Sequence, residues 1–235
     1  MGSVGAVAGA ALFLFFPEGI RKTLVPCLIT YATGTLLGAA FLGMIPAGLK
    51  LAPAFAVTSM VLAGMVLFFI LEKLVLWRHC HDSACEVHGR AGPLILIGDA
   101  FHNFVDGVVI AAAFLTSIPL GVAASLAVIA HEVPQEVGDF AILLDNGYGR
   151  TKAIVLNTLS AATTLPGAVL AYFWLGETRA AVPYILAISA ASFIYIATAD
   201  LIPGLHRQVT AAASLRQFVL LLAGIGTIAI FHHGG

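Results

Sequence analysis

Charge is what this chain has least of. Only 10% of its 235 residues are Asp, Glu, Lys or Arg, split almost evenly into 12 acidic and 11 basic. A charge so small and so balanced excludes the basic stripe with which proteins grip nucleic acid, and no such partner is expected. Cysteine is scarce too: Cys27, Cys80 and Cys85 form no obvious disulfide framework. The stretch Met1 to Phe16 has no basic residue ahead of its apolar run, so it reads as a first membrane helix and not as a cleaved signal peptide. Hydrocarbon fills the space that charge leaves, with 60% of residues hydrophobic and a mean hydropathy of +1.01. No soluble domain of this length normally carries that balance, so the chain reads as an integral protein of the lipid bilayer.

Proline, glycine and charge divide it into eight apolar segments, near 2–16, 24–46, 53–76, 93–116, 119–144, 151–174, 182–203 and 213–231. Runs near the length that crosses about 30 Å of hydrocarbon, without alternation, are expected to be helices and not barrel strands. The expectation is an all-α, multi-pass transmembrane domain over residues 1–235, with no soluble domain between spans. Assigning the connections alternately to two sides places Arg21, Lys22, Lys73, Arg78, Arg90, Arg150, Lys152, Arg207 and Arg216 together, against only Lys50 and Arg179 opposite. That bias predicts a cytoplasmic first side and both termini outside, the cell (inner) membrane being the expected location. The sequence also echoes itself: Met44-Ile45-Pro46 is expected to end the second segment as Leu201-Ile202-Pro203 ends the seventh. Running in opposite directions, these two suit an inverted repeat of segments 1–3 and 6–8, although apolar-Pro-Gly is a common helix ending.

The cytoplasmic loop near 77–92 carries His79, Cys80, His81, Asp82, Cys85, Glu86 and His88. The ligand types suit a transition metal, but no CxxC or HxxxH spacing is present, so metal capture and a plain polar linker both stay open.

Two polar islands interrupt the oil: Asp99 to Gly107 (DAFHNFVDG) and His131 to Asp139 (HEVPQEVGD). Carboxylates and imidazoles at membrane depth are costly and need a partner, for which a divalent cation suits this donor mixture. At roughly 100° per residue, Asp99, His102, Asn103 and Asp106 share about a third of one helix's circumference. His131, Glu132, Gln135, Glu136 and Asp139 likewise share one arc of the next helix. His102 with Asp106, and His131 with Gln135, are i,i+4 pairs that can reach one ion. Counting from the segment ends puts His102 about 14 Å and His131 about 18 Å into the membrane, near its middle. Asp99 and Asp139 fit either a bond across helices or a supporting place behind the metal, and Asn103 fits either a ligand or interhelical glue. Pro134 removes its own donor beside the ligands, and Gly98, Gly107 and Gly138 are expected to admit close helix neighbours.

His102-Asn103-Phe104-Val105-Asp106-Gly107 resembles the HNxxDG signature of the ZIP divalent metal transporters, and the His131 to Asp139 stretch resembles their HExPHExGD signature. Gly34 to Pro46 and Phe193 to Pro203 are similar to that family's second and seventh helices, the latter bringing in Asp200 as an accessory candidate. The resemblance implies eight helices arranged 3+2+3, a homodimer, and elevator-type uptake of zinc or a related ion such as cadmium, iron or manganese into the cytoplasm. It implies a binuclear site on helices 4 and 5, the first ion on His102, Asp106, His131 and Gln135, the second on Asn103, Asp106, Glu132 and Gln135, with Glu136 beside them. The ion is cargo, and no organic cofactor is expected. Three positions depart from the pattern: Gln135 replaces a frequent histidine, Ala39 and Gly43 replace an Asp and a His, and Thr164 stands where some relatives carry a carboxylate.

Two other functions compete. An intramembrane metalloprotease would begin HExxH as His131-Glu132 does, but it needs a second histidine at position 135, where Gln stands, so no enzyme is expected. A metal-gated channel or a sensor would use the same ligands.

Overall fold

The computed structural model describes residues 18–79, 91–207 and 210–233. Seven helices among these residues are long and apolar enough to cross a membrane. The expected first segment, 2–16, and the loop from Cys80 to Arg90 lie outside the described residues. In chain order, α1 comprises Glu18–Gly38, a π-helical turn Ala39–Met44 and Ile45–Leu51. Helix α2 is Ala54–His79, α3 is Ala91–Thr116 and α4 is Ile118–Asp145. Helix α5 has two parts, Arg150–Ala161 and Thr164–Glu177. Helix α6 runs from a 3₁₀ turn, Arg179–Ala181, through Val182–Tyr195 and a π-helical turn, Ile196–Leu201, to Ile202–Leu205, and α7 is Ala211–His233. The two polar islands thus fall on α3 and α4.

The expected stops at Pro46 and Pro203 are not stops. A proline ring displaces the carbonyl four residues earlier and offers no donor of its own. Here the chain widens by one residue and continues, with Ile45 N–H donating to the Ala40 carbonyl and Ile202 N–H to that of Ala197. Each π turn ends two residues before its proline, so α1 and α6 carry the same irregularity in the same register. Pro166 acts differently in α5, where the predicted span is interrupted in its middle. Thr163 N–H bonds the Ser160 carbonyl and Leu165 N–H that of Ala162, the tighter i→i+3 pattern. Helix α4 stays continuous through Pro134.

Small residues let the helices approach closely. A Cβ on Gly34 of α1 would overlap the Leu221 carbonyl of α7, and one on Gly224 of α7 would meet the Cα of Gly34. On α2, a Cβ at Gly64 would overlap the side chain of Ala191 in α6. The third crossing is α3 on α5, where Gly107 faces the Thr164 backbone and Gly167 faces that of Phe104. Gly98 and Gly138 have no such neighbour among the described residues, which corrects the expectation that Gly98, Gly107 and Gly138 all mark crossings. Alanines dominate the core between α3, α4 and α6, including Ala112, Ala113, Ala123, Ala127, Ala190 and Ala197. Leu62, Val66 and Phe69 of α2, and Leu215, Phe218 and Leu222 of α7, point outward as exposed apolar surface.

Candidate metal centre

A single residue, Ser117, separates α3 from α4. Its extended backbone and its hydroxyl, which accepts from Leu120 N–H at 3.3 Å, cap α4, and Pro119 sits in that helix's first turn. The hairpin sets the register of the two islands. His102 lies 15 residues before Ser117 and Glu132 lies 15 after it; Asp99 and Gln135 are each 18 away. Equal arms at 1.5 Å per residue bring the islands to the same height.

At that height the side chains converge. His102 Nε2 is 3.1 Å from His131 Nε2, 3.7 Å from Asp106 Oδ2 and 3.4 Å from Glu132 Oε1. His131 Nε2 is 3.3 Å from Asp106 Oδ2 and 3.6 Å from Glu132 Oε1. Four ligands on tetrahedral bonds of about 2.0–2.1 Å, the length of zinc bonds to nitrogen and oxygen, stand roughly 3.3 Å apart. These five edges of a tetrahedron bracket that value, and all four ligand atoms lie within 4.8 Å of one another. His131 is further prepared by the contact of its Nδ1 with the Ala127 carbonyl at 3.0 Å. With Nδ1–H as the donor there, the Nε2 lone pair is left for the cluster, the usual arrangement for a ligating imidazole. The Phe193 ring closes the other side of His131, centroids 6.0 Å apart.

Asp106 and Glu132 are fully buried, and none of their four carboxylate oxygens has a hydrogen-bond partner among the described residues. A buried ion left without a partner costs several kcal/mol, roughly 3–5 by mutational measures. Two carboxylates and two neutral imidazoles match a divalent ion in both charge and donor type.

The two amides in the islands turn elsewhere. Asn103 donates to the Asp99 carbonyl at 3.2 Å and to Asp99 Oδ1 at 3.0 Å, and its own Oδ1 accepts from Thr164. Gln135 donates to the same Asp99 Oδ1 at 3.2 Å. Asp99 therefore ties α3 to α4 directly beneath the histidines. Glu136 is buried, neither of its oxygens has a hydrogen-bond partner among the described residues, and it lies in a second cluster with Asp99 and Glu132. Asp139 is half-buried one turn further on, and Asp200 is exposed on the π turn of α6. Ala39 and Gly43, the departures in the second segment, are both buried in the π turn of α1.

Known proteins resemble this chain over much of its length. A family model described as the ZIP zinc transporter matches residues 77–232, well over half of the chain. The chain belongs to the ZIP family. That family is one of transporters, not of enzymes. Among curated relatives, zinc transporter ZIP13 of Pongo abelii is 34% identical over 223 residues, covering 87% of this ZIP chain and 66% of that protein. Zinc transporter zipt-7.2 of Caenorhabditis elegans is 36% identical over 136 residues, 56% of this chain and 29% of its own length. Zinc transporter ZIP4 of Homo sapiens is 42% identical over 112 residues, 48% of this chain and 17% of its own. The alignments thus span just under two thirds of the first relative and far less of the others.

Helix α5 gives this ZIP chain a support that the motifs did not announce. Thr163 donates to the Ala100 carbonyl at 2.5 Å, Thr164 to Asn103 Oδ1 at 3.1 Å, and Asn157 Nδ2 to the Glu136 carbonyl at 3.2 Å. Asn157, Ser160, Thr163 and Thr164 recur at three- and four-residue spacing in an apolar segment, which is the signal by which this polar face is readable. Thr164→Val leaves Asn103 Oδ1 buried without this donor, at a cost of about 1–3 kcal/mol. Lower thermal stability together with weaker metal affinity is the expected result, and an unchanged melting temperature contradicts it.

Proposed function

We propose that the chain carries divalent transition-metal cations into the cytoplasm, zinc first among them, with cadmium, iron or manganese as further candidates. The ion passes through a site near the membrane midplane held by His102, Asp106, His131 and Glu132 on α3 and α4. The buried, unpartnered carboxylates beside two imidazoles carry this reading, because a cation is the partner they lack. The relatives named above, all zinc transporters, point to the same cargo.

The frame of this proposal has eight spans, the segment before α1 together with α1–α7, arranged 3+2+3 around the α3–α4 pair. The twin π turns support an inverted repeat, since a shift of 157 residues carries Ala39–Met44 onto Ile196–Leu201 and Gly34 onto Ala191. The α1–α7 and α2–α6 crossings would exchange under such a repeat. The rest of the reading is elevator-type alternating access, with α3 and α4 moving against a homodimeric scaffold and both termini outside. Saturable zinc or cadmium uptake by the purified full chain in proteoliposomes, abolished by His102→Ala, is the expected result. A chain that moves no divalent ion removes the reading.

A further inference from the structure

Proline alone does not explain the two π turns. Pro26 lies within α1 and Pro134 within α4, and both helices keep α geometry through them. The chain therefore has two ways of carrying the ring, and ahead of Pro46 and Pro203 it takes the wide one, a form rare in helices and frequent at functional sites. The two turns stand on opposite sides of the metal centre. Gly43, in the π turn of α1, faces the start of α4: a Cβ there would lie 2.8 Å from Leu120 Cδ1. A Cβ on Gly48, just beyond that turn, would lie 3.4 Å from the Pro183 carbonyl, so α1 ends where α4 and α6 begin. Farther along α6 the Phe193 ring meets His131, and the second π turn begins three residues later, on the side away from Ser117. The turns also differ in packing. Ala39, Ala40, Gly43 and Met44 are buried in the first, whereas Ala197 alone is buried in the second and Thr198, Ala199 and Asp200 are exposed.

We infer that the two π turns are paired hinges of the transport cycle, α1 yielding at Ala39–Met44 to open the path toward the Ser117 end and α6 yielding at Ile196–Leu201 to open it toward the other. The inference rests on the transport reading above and adds what α1 and α6 do while α3 and α4 move. In α geometry the proline ring presses on the carbonyl four residues earlier; the π turn relieves that pressure but is itself a rare and less favourable form. Neither form is strongly preferred, and Pro26 and Pro134 show that the α form is within reach. A turn balanced in this way has two discrete arrangements, which is what a hinge between two end states requires. Passing from π to α takes one residue out of the wide turn, so the helix beyond it rotates by about 100° and shifts by about 1.5 Å. The part that swings is Ile45–Leu51 in α1 and Ile202–Leu205 in α6. One turn packed and its twin exposed is how two hinges working in alternation stand at one end of the cycle.

Pro46→Ala and Pro203→Ala remove the ring and favour the α form, by on the order of a hundredfold for a proline inside a helix. In each variant amide hydrogen exchange is expected to slow across its own turn, 40–45 or 197–202, and not across the twin. Zinc binding in equilibrium dialysis is expected to stay within about threefold of wild type, because no ligand is touched. Zinc uptake by the purified full chain in proteoliposomes is expected to fall at least about tenfold, because one end state is now disfavoured. Pro26→Ala is the control: that proline already sits in α geometry, and uptake is expected to be unchanged. If exchange at a turn does not slow, deleting one residue within it, Leu42 or Ala199, is the second route to a straight helix, with the same outcomes expected. Uptake at the wild-type rate through a straightened turn overturns the hinges, as does an equal loss in Pro26→Ala or a loss of zinc binding as large as the loss of uptake. A wild-type chain that moves no divalent ion removes the transport reading and the hinges together.

Discussion

Asp106→Asn is expected to weaken zinc or cadmium binding by on the order of a thousandfold, about 4 kcal/mol, the scale for removing one partner of a buried charged set. Asp106 Oδ2 forms two edges of the ligand tetrahedron, at 3.3 Å to His131 and 3.7 Å to His102, and no hydrogen bond among the described residues gives its carboxylate another role. The substitution keeps the shape and removes the charge. Metal-free protein should lose far less stability than metal affinity, because without the ion Asp106 Oδ2 has only its contacts to His131 at 3.3 Å and His102 at 3.7 Å to lose. A purely structural residue would behave in the opposite way, losing stability with or without metal. Titration calorimetry with zinc, paired with melting curves in chelator, checks both halves. Unchanged affinity contradicts the placement of this ligand.

The second large effect belongs to a residue with no chemistry of its own. Gly107→Ala places a Cβ into the Thr164 carbonyl and the Ala168 nitrogen, and Gly167→Ala places one into the Phe104 carbonyl. Backbone cannot swing aside as a side chain can, so α3 and α5 must separate at a cost of about 3 kcal/mol or more each, the upper part of the overpacking range. Separation also pulls Thr164 from Asn103 and Thr163 from Ala100, so metal affinity falls along with stability. Gly98→Ala and Gly138→Ala meet nothing within 4 Å among the described residues and are expected to shift stability by no more than about 1 kcal/mol. Melting temperatures of the four variants test the contrast; equal losses at all four positions would contradict it.

The difference between those glycines shows how far sequence reaches. Gly98, Gly107 and Gly138 look alike in the chain, each a small residue in or beside a polar island. Only the path of α5 separates them, and that path depends on contacts more than 50 residues away along the chain. The amides of Asn103 and Gln135 make the same point. Helical spacing puts them on the metal-facing arcs, yet both donate to Asp99, Asn103 from one turn along the same helix and Gln135 from across the helix pair. Pro46, Pro203 and Pro166 share one chemistry, and the chain answers it twice with a widened turn and once with a tightened break.

By itself the sequence determined the helical state, the membrane setting and the two polar islands. Hydrocarbon leaves the backbone no solvent to bond, and a one-residue turn between two helices fixes their register. The ZIP motifs were legible for the same reason, being local and spaced by the helical repeat. Tertiary structure decided which oxygens are left without partners, which amides are already engaged, and where α5 presses against α3. Those outcomes depend on distances between helices, set by packing of surfaces that no single stretch of chain contains.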